Sequence, residues 1–271
     1  MKKLLPLIVF LLISTVLFAQ VSKTVECTAG GLDTLLTATE KNTITNLTIS
    51  GRMNAMDFKT IREKMYNLAV LDISSITIEP CNVIGYENKI NELPEESFYN
   101  YYSLKLDSIL LPQIITSIGQ SAFSGCRNIR SITIPSTVDS IGTSAFCNCI
   151  ALKSVTLSPT MTSLGESVFS NCSALSTIEL PSSIPILRNG EFYNCVNLVS
   201  INLSSIHIIE GSVFYNCNKL CLADLSGVES IGGSAFGYCE KLKKIQLSNS
   251  LNSLGEGAFK SCRSLKLVEL P

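Results

Sequence analysis

The 271-residue sequence is 46% hydrophobic and 16% charged, and its 21 basic and 22 acidic residues leave a net charge of −1. This balance argues against a nucleic-acid-binding protein, which needs a strongly basic face. The one histidine, His207, argues against a zinc site. No cofactor and no metal are expected.

The first 19 residues predict a secretory signal peptide. Lys2 and Lys3 precede an apolar run from Leu4 to Phe18, and Ala19 ends the segment. The run of 15 residues is shorter than the stretch of about 20 residues that crosses a bilayer as a helix. The chain is therefore expected to be exported, either secreted or held at the cell surface, with no membrane span once the signal is removed.

Residues 20–97 predict an N-terminal cap with two atypical repeats. Leucines at helical spacing within residues 31–40 indicate a short capping helix. Strand cores follow at Ile44–Ile49 and Leu68–Ile73. The residues between these cores place apolar side chains on one helix face, and Asp57 is expected to cap the start of that helix.

The polar stretch 79–97 interrupts this organisation. It contains Pro80, Gly85 and Pro94 and lacks the repeat pattern, which predicts an inserted loop. Loops of this kind can carry binding residues, but a simple splice between two repeat styles accounts for the loop equally well. The densest aromatic cluster of the sequence follows directly: Tyr99, Tyr101 and Tyr102.

From residue 98 onward a unit of 22 or 23 residues repeats. A phenylalanine and, three residues later, a cysteine hold the register in seven copies: Phe123/Cys126, Phe146/Cys149, Phe169/Cys172, Phe192/Cys195, Phe214/Cys217, Phe236/Cys239 and Phe259/Cys262. The units end on Leu-x-x-Ile-x-Leu, an alternation typical of a short strand with one buried face. A period of about 20–29 residues with this core predicts a leucine-rich repeat solenoid whose strands form a parallel sheet.

Glycines recur four residues before five of the seven repeat phenylalanines and are expected where the coil turns, in a role suited to residues that tolerate positive φ. They are Gly119, Gly142, Gly165, Gly232 and Gly255.

The pattern Ile-Gly-x-x-Ala-Phe-x-x-Cys-x-x-Leu-x-x-Ile-x-Leu-Pro, seen with aliphatic exchanges from Ile118 to Pro135, resembles the BspA-like leucine-rich repeat proteins over residues 98–271. The resemblance implies a right-handed superhelix with a parallel β-sheet, short helical or 3-10 turns and an α-helical N-terminal cap. It also implies adhesion to host matrix proteins or to other cells. Three residues differ from this pattern: Arg188 and Glu210 replace the turn glycine, and Glu191 replaces the small residue that precedes the phenylalanine.

Eleven cysteines in an exported chain ordinarily indicate disulfides. Seven of them share one repeat position, however, and side chains in such a ladder point side by side rather than at each other. These seven are expected to form a column of buried thiols. Cys27 and Cys81 lie outside the column, and a disulfide between them across the cap stays open.

The strand residues between the core positions are expected to point outward and to form a mildly polar face for a large ligand. This predicted strand face comprises Arg130, Ser131, Thr133, Lys153, Ser154, Thr156, Ser176, Thr177, Glu179, Ser200, Asn202, Asp224, Lys243, Lys244 and Gln246. Val199 and Leu222 occupy outward positions in the same series. The alternative is that this face serves solubility alone.

No catalytic constellation stands out, and His207 occupies a position that is polar in other copies, so no enzyme is expected. The sequence favours an exported protein that binds macromolecules, most readily a host matrix or cell-surface protein. The alternatives are a glycan-binding or envelope-structural module, or the N-terminal part of a longer surface protein that continues past Pro271. A basic cluster in the last two coils is interpreted as a solvated face or a binding patch: Lys241, Lys243, Lys244, Lys260, Arg263 and Lys266.

Overall fold

The computed structural model describes residues 20–100 and 104–269. The predicted signal peptide and the side chains of Tyr101 and Tyr102 lie outside the described residues. The described chain is a solenoid of parallel strands, which confirms the predicted leucine-rich repeat architecture.

The first coils combine long strands with short helices. Their elements are β1 (Ser22–Cys27), α1 (Leu32–Leu35), α2 (Ala38–Thr43), β2 (Asn46–Met53), α3 (Ala55–Lys64) and β3 (Val70–Ile78). The three strands pair in parallel. The strands predicted around Leu47 and Leu71 and the helix between them are confirmed, whereas β1 carries no repeat signature in the sequence.

Asp57 caps the start of α3 as predicted, but from the third helical position, and it also binds the loop before α1. The N-cap of α3 is Asn54, whose side chain accepts from Met56 N–H at 3.0 Å, and Asp57 lies within the first turn of the helix. The fully buried Asp57 carboxylate accepts from the backbone N–H groups of Asn54, Gly30 and Leu32 at 2.7–2.9 Å. It therefore ties α3 to the loop before α1 by charge-assisted hydrogen bonds.

The later coils each contribute short strands to two ladders. In chain order these are β4 (Glu92–Leu93), β5 (Ser108–Leu110), β6 (Ser117–Ile118), β7 (Ser131–Thr133), β8 (Ser140–Ile141), β9 (Ser154–Thr156), β10 (Ser163–Leu164), β11 (Ile186–Leu187), β12 (Ile208–Ile209), β13 (Leu222–Leu225), β14 (Ser230–Ile231), β15 (Lys244–Leu247), β16 (Ser253–Leu254) and β17 (Leu267–Glu269). The main ladder is made of three paired segments, β1–β2–β3–β5, β7–β9 and β13–β15–β17. The second ladder contains the remaining strands.

The regular coils begin earlier than the sequence pattern indicated. Glu92 and Leu93, expected within the inserted loop, form β4 and pair with Ser117 and Ile118. Leu93 lies five residues before Phe98, which is the aliphatic position of the repeat. The insertion therefore ends before Glu92, and its own backbone closes through a bridge between Cys81 and Asn88.

The core of the solenoid is a continuous column of phenylalanine rings. From Phe98 to Phe259 the rings of successive coils stack with centroids 5.0–5.7 Å apart. Phe58 of α3 meets Phe98 edge-on at 5.7 Å and joins the cap to the column. Burial of one such ring stabilises the fold by about 1.5–3 kcal/mol.

The predicted column of thiols is confirmed, and it contributes hydrogen bonds in addition to volume. All eleven cysteines are free, and in the column only Cys262 is half-buried. Each column Sγ lies 3.1–3.2 Å from the carbonyl oxygen of the phenylalanine one coil earlier, as Cys172 does from Phe146. Burial raises the pKa of Cys172, so the thiol keeps the proton that it donates.

The repeated glycines serve close packing between coils, which corrects the role predicted for them. Their φ angles are not positive, but a Cβ at Gly165 would lie 2.4 Å from the backbone nitrogen of Thr143 in the preceding coil. Positive φ occurs instead two residues before and after the phenylalanines, with values of 53–61° at serines and asparagines such as Ser144 and Asn148. Asparagine tolerates this conformation, and glycine occupies the same positions at Gly125, Gly190 and Gly257.

Candidate functional site

The predicted strand face is assembled as the sequence indicated. All fifteen of its residues are exposed, while the residues that alternate with them are buried. Parallel pairing sets equivalent positions of successive coils side by side, as with Ser131 beside Ser154 and Asp224 beside Gln246. Arg130, Lys153 and Lys243 directly precede β7, β9 and β15. A binding role for these residues remains a prediction.

Within the described residues, the main ladder is interrupted between β5 and β7 and again, over two coils, between β9 and β13. The strand expected at Ile178 and Leu180 has no ladder partner, and the coils there are joined by single backbone bonds such as Val199 N–H to Ser176 O at 3.1 Å. A depression of about 330 Å³ lies at this second interruption and is lined by Thr177, Glu179, Ser200, Ile201, Asn202, Leu203, Leu222 and Asp224.

The second ladder opens at the same coil, between β10 and β11. In the neighbouring coils the residue seven before phenylalanine donates its N–H to the equivalent carbonyl one coil earlier, as Thr162 does to Asp139 at 2.8 Å. Pro185 occupies this position in the interrupted coil and has no N–H to donate to Thr162. The proline therefore removes the bond that would align these two strands.

Three apolar side chains are exposed on this polar face: Leu110 of β5, which is 57% exposed beside the first interruption of the ladder, and the pair Val199 and Leu222. Leu222 is 59% exposed at the rim of the depression, and Val199 on the preceding coil is 42% exposed. An exposed apolar pair within a polar rim is typical of an interaction site. The sequence placed both side chains outward but did not single them out. Their signal is an aliphatic residue at a position that is polar in most copies.

Charge changes sign along the face. Hydrogen bonds from Ser226 hold the pKa of Asp224 below its usual range, so that the depression carries negative charge at neutral pH. Lys243 and Lys244 follow on the next coil. The depression therefore places the negative charge of Asp224 beside the exposed Leu222, and the two lysines adjoin it.

The repeat geometry agrees with comparisons to known families. A family model described as "BspA type Leucine rich repeat region", with six copies, matches residues 91–221 and 222–271. The chain belongs to this family. No curated protein sequence matches the chain. Leucine-rich repeat solenoids are typically binding scaffolds, which supports a role in protein binding for this BspA-type chain.

A solved structure shows the same fold. A leucine-rich repeat protein from Bacteroides ovatus is 23% identical, with a TM-score of 0.58 over 93% of this chain and 75% of the other. A leucine rich cell surface protein from Faecalibacterium prausnitzii is 20% identical, with a TM-score of 0.47 and coverages of 92% and 78%. The T. pallidum leucine rich repeat protein is 20% identical, with a TM-score of 0.46 and coverages of 82% and 79%.

Other candidate groups of the BspA-type chain lie apart from the strand face. His207 is exposed, with its Nδ1 3.4 Å from Glu229 Oε1. Within residues 20–100 and 104–269, no group of three or more His, Cys, Asp or Glu side chains is placed to hold a metal ion. In the same ranges no helix has the length and apolar character that a membrane crossing requires.

The thiols of Cys27 and Cys81 are both free and buried, so the disulfide left open by the sequence is not formed. Cys27 Sγ instead lies 3.8 Å from a carboxylate oxygen of Asp57. Burial, together with the negative charge of Asp57, raises the pKa of Cys27 to about 12. This thiol is therefore a packed structural group of the cap.

Proposed function

We propose that this BspA-type leucine-rich repeat protein is exported and binds other proteins at the cell surface through its strand face. The observation that carries the proposal is the exposed Leu222 at the depression where the main ladder opens. An apolar anchor surrounded by polar groups is the arrangement from which binding hot spots are built. Adhesion to host matrix proteins or to other cells extends the proposal through the family resemblance.

The interrupted ladder supplies a second element of recognition. Around Ile178 and Ile201 the coils are joined by single backbone hydrogen bonds and by one bridge, Ser200 to Leu222, instead of the paired strands seen on either side. Backbone groups that are not paired in a ladder are available to an extended segment of a partner. The partner is therefore a protein that offers an apolar side chain to Leu222 and main-chain groups to these coils.

Binding of the purified chain to a panel of immobilised extracellular matrix proteins tests this proposal. A Leu222→Ser variant is expected to bind about tenfold more weakly, as for the loss of one apolar anchor. Ile84→Ser is the matched control, because Ile84 is 92% exposed and lies in the insertion, away from the strand face. If both variants weaken a saturable binding equally, the proposed site is contradicted. The absence of binding to any matrix protein would contradict it as well.

Export is tested separately from binding. Expression of the full sequence in a secreting host is expected to yield an extracellular or surface protein whose N-terminal residue is Gln20. A protein that stays in the cytoplasm with Met1 or Lys2 at its N-terminus would refute the predicted signal peptide.

A further inference from the structure

Three tyrosines, distant in sequence, form a rib on the outer surface of the last coils. The rings of Tyr193 and Tyr215 stack with centroids 5.1 Å apart and planes 3° apart, and Tyr238 adjoins Tyr215 at 5.2 Å with a tilt of 60°. All three are partly exposed. Tyr193 and Tyr215 directly follow the core phenylalanine, and Tyr238 lies two residues after it. The ring of Tyr215 lies against Gly237, where a Cβ would be 3.0 Å from Tyr215 Cδ2.

Oriented amides line this rib. Asn194 Nδ2 donates to Asn171 Oδ1 at 2.8 Å, and Asn216 Nδ2 donates to Asn194 Oδ1 at 2.7 Å. The chain of bonds fixes the orientation of each amide and leaves one polar group per coil beside the tyrosines. Donors and acceptors thus recur along the solenoid at the spacing of the coils.

Positive charge adjoins the rib. Four basic residues are exposed on the turns of these coils: Lys219, Lys241, Lys260 and Arg263. The acidic residues there are Glu240, 3.8 Å from Arg263, and the exposed Glu256, which lies on the turn of Lys260. Tyr238 donates its backbone N–H to Lys260 O at 2.7 Å, which places Lys260 next to the rib. Four basic groups and two acidic groups leave a local charge of about +2.

The chemistry of this surface selects an oxygen-rich anion. Because Tyr193 and Tyr215 turn their faces toward each other, their edges, which carry the positive end of the ring quadrupole, face outward. Ring edges, phenol hydroxyls, amides and ammonium groups all favour oxygen atoms and negative charge. Their recurrence once per coil suits a ligand that is itself a chain of repeating units.

We propose that the tyrosine rib, defined by Tyr193, Tyr215 and Tyr238, binds an acidic polysaccharide such as a polyuronate, laid along the solenoid across successive coils. This surface lies outside the strand face and adds a second ligand class to the protein. An acidic peptide is disfavoured because the rib offers a regular row of polar donors rather than apolar anchors for side chains.

The test is the affinity of the purified chain for immobilised polygalacturonate, with neutral dextran and polyglutamate as comparison ligands. Binding to polygalacturonate is expected to exceed binding to both. A Tyr193→Ser/Tyr215→Ser variant is expected to bind about tenfold more weakly. Serine occupies the same position in other coils, at Ser124 and Ser170, so the substitution preserves the coil.

A charge variant separates the rib from general electrostatics. Lys241→Glu/Lys260→Glu is expected to abolish most binding, whereas Arg52→Glu/Lys89→Glu carries the same charge change on exposed residues of the N-terminal coils and is expected to retain it. Equal affinity for polyglutamate would assign the surface to acidic peptides and overturn the proposal. Unchanged binding by the tyrosine variant, equal loss in both charge variants, or no binding to polygalacturonate would also overturn it.

Discussion

Replacing Glu191 by valine is expected to stabilise this protein at neutral pH. Glu191 is fully buried in the position before Phe192, and neither carboxyl oxygen has a hydrogen-bond partner. Val168 and Val213 occupy the same position in the neighbouring coils. Valine therefore fits the column, and it removes a buried unsatisfied group of a kind that costs about 1–3 kcal/mol.

The stability gained by replacing Glu191 increases as the pH rises. Burial raises the pKa of Glu191 well above its ordinary 4.5, against a smaller opposing influence of Arg188, while Glu210 raises it further. The folded chain therefore keeps a proton that the unfolded chain releases. Above pH 4.5 the free energy of unfolding falls by about 1.4 kcal/mol per pH unit, until the pKa of the folded state is reached.

Urea denaturation followed by circular dichroism, at several pH values between 4.5 and neutrality, measures this effect. Glu191→Val is expected to remove this fall in stability with pH. It is expected to raise the free energy of unfolding by about 2 kcal/mol at pH 4.5 and by more at neutral pH, where the linkage loss adds to this cost. The exposed Glu166 provides the control, since Glu166→Val is expected to change stability by less than about 0.5 kcal/mol. A destabilised Glu191→Val variant, or one with an unaltered pH slope, would refute the reasoning.

Two further predictions concern the packing between coils. A Cβ at Gly232 would lie 2.5 Å from the carbonyl carbon of Glu210, whereas the nearest contact at Gly233 is 3.5 Å. Gly232→Ala is expected to lower the free energy of unfolding by about 1–3 kcal/mol, and Gly233→Ala by less than about 0.5 kcal/mol; similar denaturation midpoints for the two would contradict this account. Cys172→Ala loses the bond from its thiol to the preceding coil and is expected to cost about 1 kcal/mol. The half-buried Cys147 provides the comparison, and an equal cost for Cys147→Ala in the same assay would show that the column bond contributes nothing.

The regular part of the fold could be predicted from the sequence because equivalent residues of successive coils pack against each other. Phe146 stacks on Phe123 and Phe169 since each coil repeats the last one by translation. The same reasoning predicted the outward strand positions and the buried thiols. It did not predict the bond from each thiol to a phenylalanine carbonyl, because that bond requires the distance between two coils.

The predictions were wrong or incomplete where one residue acts on a particular neighbour. Gly165 lacks a side chain because the backbone of Thr143 lies close to it. Asp57 serves the loop at Gly30 and Leu32 as well as its own helix. Neither the distance between coils nor the approach of that loop is visible in a repeat pattern.

The sequence by itself determined the period, the two core columns and which side of each strand meets solvent. Only the tertiary structure decided what lies together on the surface: the opening of both ladders at the coil of Pro185, the exposed Leu222 beside it, and the rib of Tyr193, Tyr215 and Tyr238. The reason is physical. A column forms from a repeated residue and needs only the repeat, whereas a site forms from exceptions to the repeat and depends on which exceptions the stacking brings into contact.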